Sequence, residues 1–270
     1  MDGSSTRAFA HVSDLHVGRD ARTDAAAAQV CQALLAADVG QVLITGDVTH
    51  RGLEAELASF EQMFAPLRDR MIVVPGNHDR MGDDVARSLQ RARVEVERRP
   101  GLFVIRLDST APHNRSPIDS HGELSDDDVA AVDSAVDLAP SGTLVVLMLH
   151  HHLLPLPPEG LPERISNLLG WPNAAELPRG RELLGRVQGR CDVVVHGHRH
   201  QAGEVRLVSR NGRELRVMNA GSTPQLGRAR ILLHRDGQVL AEYWYGCTPV
   251  LAGVARGRAS RGEGSFPAAA

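Results

Sequence analysis

The chain has 270 residues, 42% of them apolar and 23% charged, which is a globular composition and excludes wholesale disorder. A formal net charge of −3 argues against a dedicated nucleic-acid binder, and three widely spaced cysteines (Cys31, Cys191, Cys247) imply neither a disulfide framework nor a cysteine zinc site. The short polar N-terminus and the absence of any long apolar run make a soluble cytoplasmic protein, without a transmembrane segment, the expectation.

In chain order, Ala8–Ser13 reads as a strand ending at Asp14-Leu15-His16. Thr23–Ala37 reads as a helix capped by Thr23 or Asp24 and stopped at Gly40. A second strand, Gln41–Thr45, ends at Gly46-Asp47, and Leu53–Phe64 has the spacing of an amphipathic helix. Met71-Ile-Val-Val74 is a third strand, and Pro75-Gly76 turns it into Asn77-His78-Asp79. A helix is expected over Asp83–Arg93, then a strand over Leu102–Asp108 and a polar loop to Gly122. Ser125 and Asp128 form a capping box before a helix over Asp126–Leu138.

The apolar strand Thr143–Leu149 runs into His150-His151-His152. Leu153–Pro178 carries six prolines and holds only short helical pieces such as Glu163–Leu169, so it reads as a long loop or lid. A short helix, Arg181–Val187, precedes the strand Asp192–Val195, which ends at His196-Gly-His198-Arg-His200. Two hairpins follow, turning at Asn211-Gly212 and Asp236-Gly237, and together they are expected to build a second sheet packed on the first. Residues 1–252 are expected to form one domain and 253–270 a disordered tail.

Alternating strands and helices predict an α/β fold with helices outside the sheet. Five strands end in metal-capable side chains: Asp14 and His16, Asp47, Asn77, His150, and His198 with His200. In open α/β sheets the crevice beyond the strand C-termini is where ligands bind, so these residues are expected to meet. Asp14 and His16, spaced i, i+2 on an extended segment, would point to one side, and so would His198 and His200. Of the three consecutive histidines, only His150 and His152 would face the crevice together. The mixed nitrogen and oxygen set without cysteine suits Mn, Fe, Zn or Co. Seven donors exceed one tetrahedral ion but fit two divalent ions that share Asp47. Two cations against two carboxylates leave the site positive, which selects an anionic phosphate ester as substrate.

These motifs, in this order and spanning about residues 8–222, resemble the calcineurin-like metallophosphoesterase signature, nearest in character to class III cyclic nucleotide phosphodiesterases and glycerophosphodiesterases. The resemblance implies a four-layer αββα sandwich with two mixed sheets. It implies that Asp14, His16 and His200 hold one metal, that Asp47 bridges, and that Asn77, His150 and His198 hold the other. It favours His150 over His151 as the ligand. His78 would sit over the substrate as an acid or electrostatic clamp, with Asp79 orienting its ring. Two such ions lower the pKa of a shared water to make a nucleophile, so no Ser or Cys nucleophile is required.

Arg19, Arg51 and Arg80 follow ligand motifs and are candidates to touch a substrate phosphate, as is Asn114 in the polar loop. His113 and His121 share that loop, and Trp171 is a candidate to stack on a base. His196 reads as structural. The expected activity is phosphodiester hydrolysis. Alternatives on the same site are a UDP-sugar-lipid pyrophosphohydrolase, a phosphomonoesterase, a nuclease, or a scaffold without catalysis. Self-association is left open.

Overall fold

The computed structural model describes residues 5–116, 118–155 and 176–247. The first sheet has the order β11-β10-β1-β2-β3 and the second β4-β5-β6-β7-β9-β8. In the first, β1 (Arg7–Val12), β2 (Gln41–Thr45) and β3 (Met71–Val74) run parallel, while β10 (Arg228–Arg235) lies antiparallel on β1 and pairs with β11 (Gln238–Gly246). In the second, β5 (Leu102–Leu107), β6 (Leu144–Met148), β7 (Val193–His196) and β9 (Glu214–Asn219) run parallel, and β4 (Val94–Arg99) and β8 (Gly203–Val208) flank them antiparallel.

Every residue of β5 and β6 is buried, as strands covered on both faces require. Three apolar layers explain this. Phe9, Leu43, Ile72 and Val74 of the first sheet interlock with Val104, Val146, Val193 and Val195 of the second. Outside the first sheet, α1 (Ala21–Ala36) and α2 (Glu54–Met63) place Ala27, Val30, Leu34, Leu57 and Phe60 against Val12, Val42 and Ile44. Outside the second, Val132 and Val136 of α4 (Asp126–Val136) and Leu183 and Val187 of α5 (Gly180–Val187) cover Phe103, Ile105, Val145 and Leu147. The architecture is therefore the expected αββα sandwich of two mixed sheets.

Three expectations need correction. The hairpins do not make a sheet of their own: β8–β9 extends the second sheet and β10–β11 the first. The helix expected over Asp83–Arg93 shrinks to α3 (Ala86–Leu89). Its start is blocked by left-handed backbone at Gly82 and Asp84, and its end by the extended Gln90, whose amide donates to the carbonyls of Ala92, Arg93 and Arg106. The strand β4, unanticipated, follows at once. It is a charged edge strand, Val-Glu-Val-Glu-Arg-Arg, turning into β5 through Gly101 at φ 72°. Finally, α1 is capped by Asp20, whose carboxylate accepts from the Thr23 amide, rather than by Thr23 or Asp24.

The capping box of Ser125 and Asp128 is present at the start of α4, and the Asp236-Gly237 turn takes left-handed backbone at both positions. Of the proline-rich segment, Leu153 and Leu177 pack on the outer face of the second sheet, and residues 156–175, with Trp171, lie outside the described residues. The tail expected over 253–270 lies outside them too. No helix among the described residues is long and apolar enough to cross a membrane.

Candidate metal centre

The loops leaving β1 and β2 run side by side. The Asp14 amide donates to the Gly46 carbonyl at 3.1 Å and the His16 amide to the Asp47 carbonyl at 2.9 Å. Asp14, His16, Asp47 and His198 all have left-handed backbone, with φ of 54°, 48°, 51° and 68°. This corrects the account of Asp14 and His16 as neighbours on an extended segment: each turns into the site by a locally costly conformation, and such conformations concentrate at functional sites. Glycines make room. A Cβ on Gly76 would lie 2.1 Å from Asp47 Oδ1, and one on Gly197 would lie 1.9 Å from Ser13 Oγ and 2.7 Å from Asp14 Oδ2.

Two groups of donors result. In the first, His16 Nε2 and His200 Nε2 face each other at 3.3 Å, and His200 Nε2 lies 3.7 Å from Asp14 Oδ1. Asp14 is fully buried, and neither of its carboxylate oxygens has a hydrogen-bond partner. Burial pushes its pKa up, against the pull of His200 and His150. A buried, unpaired carboxylate beside two convergent imidazole nitrogens is an incomplete arrangement that a cation completes. Burial, then the neighbouring His78 and His200, hold the His16 pKa well below its usual value, so the ring stays neutral, the form that binds metal.

In the second group, Asn77 Oδ1 lies 3.1 Å from His150 Nε2 and 3.0 Å from His198 Nδ1. His150 is aimed by its other nitrogen, Nδ1, which donates to the Thr45 carbonyl at 2.7 Å and so leaves the Nε2 lone pair facing the site. Asp47 lies between the groups, with Oδ2 at 3.5 Å from His150 Nε2 and 3.8 Å from His16 Nε2. The donor set fits two cations sharing one carboxylate. His200 keeps 31% of its side chain exposed, so the centre opens to solvent on that side.

His78 lies beside His16, ring centroids 4.6 Å apart. Its amide donates to Asp47 Oδ1 at 2.9 Å and its Nδ1 to the His50 carbonyl at 2.6 Å. Burial alone would lower its pKa, but the Asp47 carboxylate, the His50 carbonyl and then Asp79 outweigh it and hold the pKa up.

Other expected residues are placed differently. Asp79 does not hydrogen-bond the His78 ring. It is fully buried and accepts from the Thr49 amide and hydroxyl and from the Gly76 amide, stitching the β2 and β3 loops together. His151 has both ring nitrogens engaged, with Ser109 Oγ and the Ser120 carbonyl, each at 2.9 Å. Arg80 bonds Asp84, Asp108 and Thr110, and Asn114 bonds the backbone of Ala111, Asp119 and His121. Arg19 and Arg51 are exposed, with Arg51 Nε donating to Glu56 at 3.0 Å. His113 and His121 stack on one another, centroids 4.0 Å apart. His196 is buried on β7, and burial pushes its pKa down to about 4.

His50 was missed from sequence. It is half-buried, stacks on His78 at 5.4 Å, and with His16 and His78 forms a further group of ring nitrogens close enough for one ion. The signal was its place three residues after Asp47, in the loop that returns from the strand end.

Two sheets are sandwiched between helices, and carboxylates and imidazoles converge on the strand C-termini in groups close enough to hold metal ions. Residues 8–202 match the calcineurin-like phosphoesterase family, and the chain belongs to it. It is 22% identical over 170 residues to a protein of Vesicomyosocius okutanii subsp. Calyptogena okutanii (strain HA) described as "probable cyclic nucleotide phosphodiesterase", a match covering 62% of this chain and 65% of that one. The fold is similar to that of a dimetal phosphatase from Danio rerio (TM-score 0.60, 10% identity, 90% of this chain and 99% of that one). It is also similar to the purple acid phosphatase PPD1 from yellow lupin, Lupinus luteus (TM-score 0.59, 11% identity, 90% of this chain and 54% of that one).

Proposed function

We propose that the chain hydrolyses a small phosphodiester, a cyclic nucleotide or a compound of similar size, at a centre of two divalent ions such as Mn, Fe, Zn or Co. Asp14, His16 and His200 would hold one ion, Asn77, His150 and His198 the other, and Asp47 both. The observation that carries the reading is the fully buried Asp14 carboxylate without a hydrogen bond, set against His16 and His200. Such a group is costly unless it takes up a proton or a cation compensates it, and the convergent imidazoles favour the cation. The cyclic nucleotide phosphodiesterase description of the relative favours a diester over a monoester.

When bound, the two ions supply Lewis acidity and an activated water. The chain's own residues do the rest. Thr45 fixes the His150 tautomer, and Asp47 and the His50 carbonyl fix His78 above the centre. There His78 can give its Nε2 proton to the departing alcohol oxygen. The test is metal analysis of the purified protein, followed by hydrolysis of bis-p-nitrophenyl and mono-p-nitrophenyl phosphate with added Mn²⁺. About two ions per chain and a preference for the diester are expected. A metal-free, inactive protein would sink the hydrolase reading, and a preference for the monoester would replace the diesterase with a phosphatase.

A further inference from the structure

The His78 ring is aimed by a backbone carbonyl, that of His50, and a backbone group is only as well placed as the loop that carries it. The Val17 backbone, whose carbonyl also accepts from the His50 amide at 3.0 Å, and two buried carboxylates hold that loop. Asp79 takes the Thr49 amide and hydroxyl from one side. From the other, Glu56 Oε2 accepts from the His50 amide at 3.1 Å and the Arg51 amide at 2.7 Å, and Oε1 from Arg51 Nε at 3.0 Å. Glu56 sits in the first turn of α2 and is only 5% exposed, unlike Glu54 beside it. A carboxylate suits a helix N-terminus, but that position does not by itself require burial.

The space around Glu56 is made for it. Gly18 has φ of 89°, and a Cβ there would lie 2.5 Å from Glu56 Cγ. Gly52, at φ 66°, lets the loop close on the following turn: a Cβ there would lie 2.4 Å from the Met81 carbonyl and 2.9 Å from that of His78. The loop 49–52 and the turn 78–81 are thus packed backbone on backbone, with the His50 carbonyl directed at the His78 ring.

We propose that Glu56 is a positioning residue for His78. By fixing the backbone of His50 it keeps the hydrogen of the neutral imidazole on Nδ1, and leaves Nε2 as the nitrogen that gains and loses the catalytic proton. This rests on the proposed role of His78 as proton donor. A carbonyl accepts and never donates, so it pairs only with Nδ1–H. In the transfer, a water oxygen bonds to phosphorus as the bond from phosphorus to the leaving oxygen breaks, and the electron pair of the broken bond stays on the leaving oxygen. The Nε2 proton passes to the oxygen, and His78 is left neutral with its hydrogen on Nδ1. Glu56 takes the part that the family resemblance gives to Asp79, the neighbour of His78 in sequence. It is also the cleaner handle, because Asp79 holds the Gly76 amide next to Asn77 whereas the hydrogen bonds of Glu56 go only to the loop and its arginine.

The test uses zinc-loaded protein and four variants: Glu56→Ala, Glu56→Gln, His78→Ala and the double variant Glu56→Ala/His78→Ala. Nitrogen-15 NMR of the His78 ring reads the tautomer directly, without turnover. Wild type should show hydrogen on Nδ1, and Glu56→Ala a mixture of both forms. With a dialkyl phosphate, whose leaving group needs protonation, Glu56→Ala should lose about 10–100-fold in kcat, part of what a general acid supplies. KM and zinc content should hold. Glu56→Gln, whose amide oxygen can still accept from both amides, should recover most of the rate, and the double variant should be no slower than His78→Ala. An unchanged tautomer in Glu56→Ala, loss of zinc, or a loss that adds to that of His78→Ala would overturn the proposal. If Glu56→Ala does not fold, Glu56→Asp keeps the charge, withdraws the oxygens by one methylene and is read in the same way. A tautomer that depends on Glu56 in a protein without diesterase activity would sink the proposed reaction and leave the positioning role standing.

Discussion

Two of the clusters of buried charge among the described residues are built on opposite terms. Where β8 and β9 meet β10 and β11, Arg216 pairs with Glu204 and Glu242, and Arg230 pairs with Glu242 and lies 4.5 Å above the Trp244 ring. Each carboxylate there has a guanidinium. At the strand C-termini, Asp14 has no hydrogen-bond partner, and Asp47 faces His16 and His150, whose pKa values are pushed down by burial. The first cluster pairs each of its carboxylates within the chain and ties one sheet to the other. The second is complete only with something from outside, and its burial and left-handed backbone are costs borne for that purpose.

The sharpest way to break the contrast is Asp47→Ala. With the shared carboxylate gone, kcat should fall by about 10³-fold or more and metal content should drop to one ion or less, read by elemental analysis beside the assay. Arg230→Met attacks the other cluster. It leaves Glu242 short of a partner and should cost about 3–5 kcal/mol by denaturant unfolding, while activity per folded molecule holds. Restoring stability with Glu242→Leu in the same chain would show that the cluster's role is internal. Chelation separates the two again: stripping the ions should lower stability by about 3–4 kcal/mol for each ion at metal concentrations 100–1,000 times Kd, and the Arg230→Met loss should be the same with or without metal.

The smallest effect is that of pH on His234, buried on β10 against Phe9. Burial, then Arg7, push its pKa down to about 4 from 6.5. The unfolded chain therefore binds the proton first. Stability from this group is whole above about pH 6.5 and is lost as pH falls toward 4, on the order of 1–2 kcal/mol by pH 5. His234→Phe should flatten that part of the stability–pH curve, and an unchanged curve would show that His234 does not drive it.

Much of the centre was legible because its chemistry is written in residue type. An apolar run ending in Asp, His or Asn needs no coordinates to be noticed, and parallel strands bring such ends to one edge. What was not legible depends on backbone. The convergence of Asp14 and His16 came from two left-handed residues and not from strand alternation, and nothing in their side chains announces that. Asp79 sits beside His78 in sequence yet bonds Thr49 and Gly76, whereas the group that meets the His78 ring is a carbonyl, common to every residue type and so invisible as a motif. The strand β4 was hidden by its charges. Its alternate glutamates and arginines suit an edge open to water and read equally well as the outer face of a helix.

The pairing of β10 with β1, Arg7 opposite His234, has a consequence for the order of events in time. The first donors arrive at residues 14 and 16 and the last at residue 200, while the strand that flanks β1 is not available until residue 228. During synthesis the early loops can offer no more than scattered ligands to a passing ion. The chelate forms when nearly the whole chain has emerged and the long-range sheet has closed, a late and slow step for contacts of this separation. On the proposed ligand assignment, metal capture would report finished folding, and a fragment ending before β10 should bind its ions weakly however many of the histidines it retains.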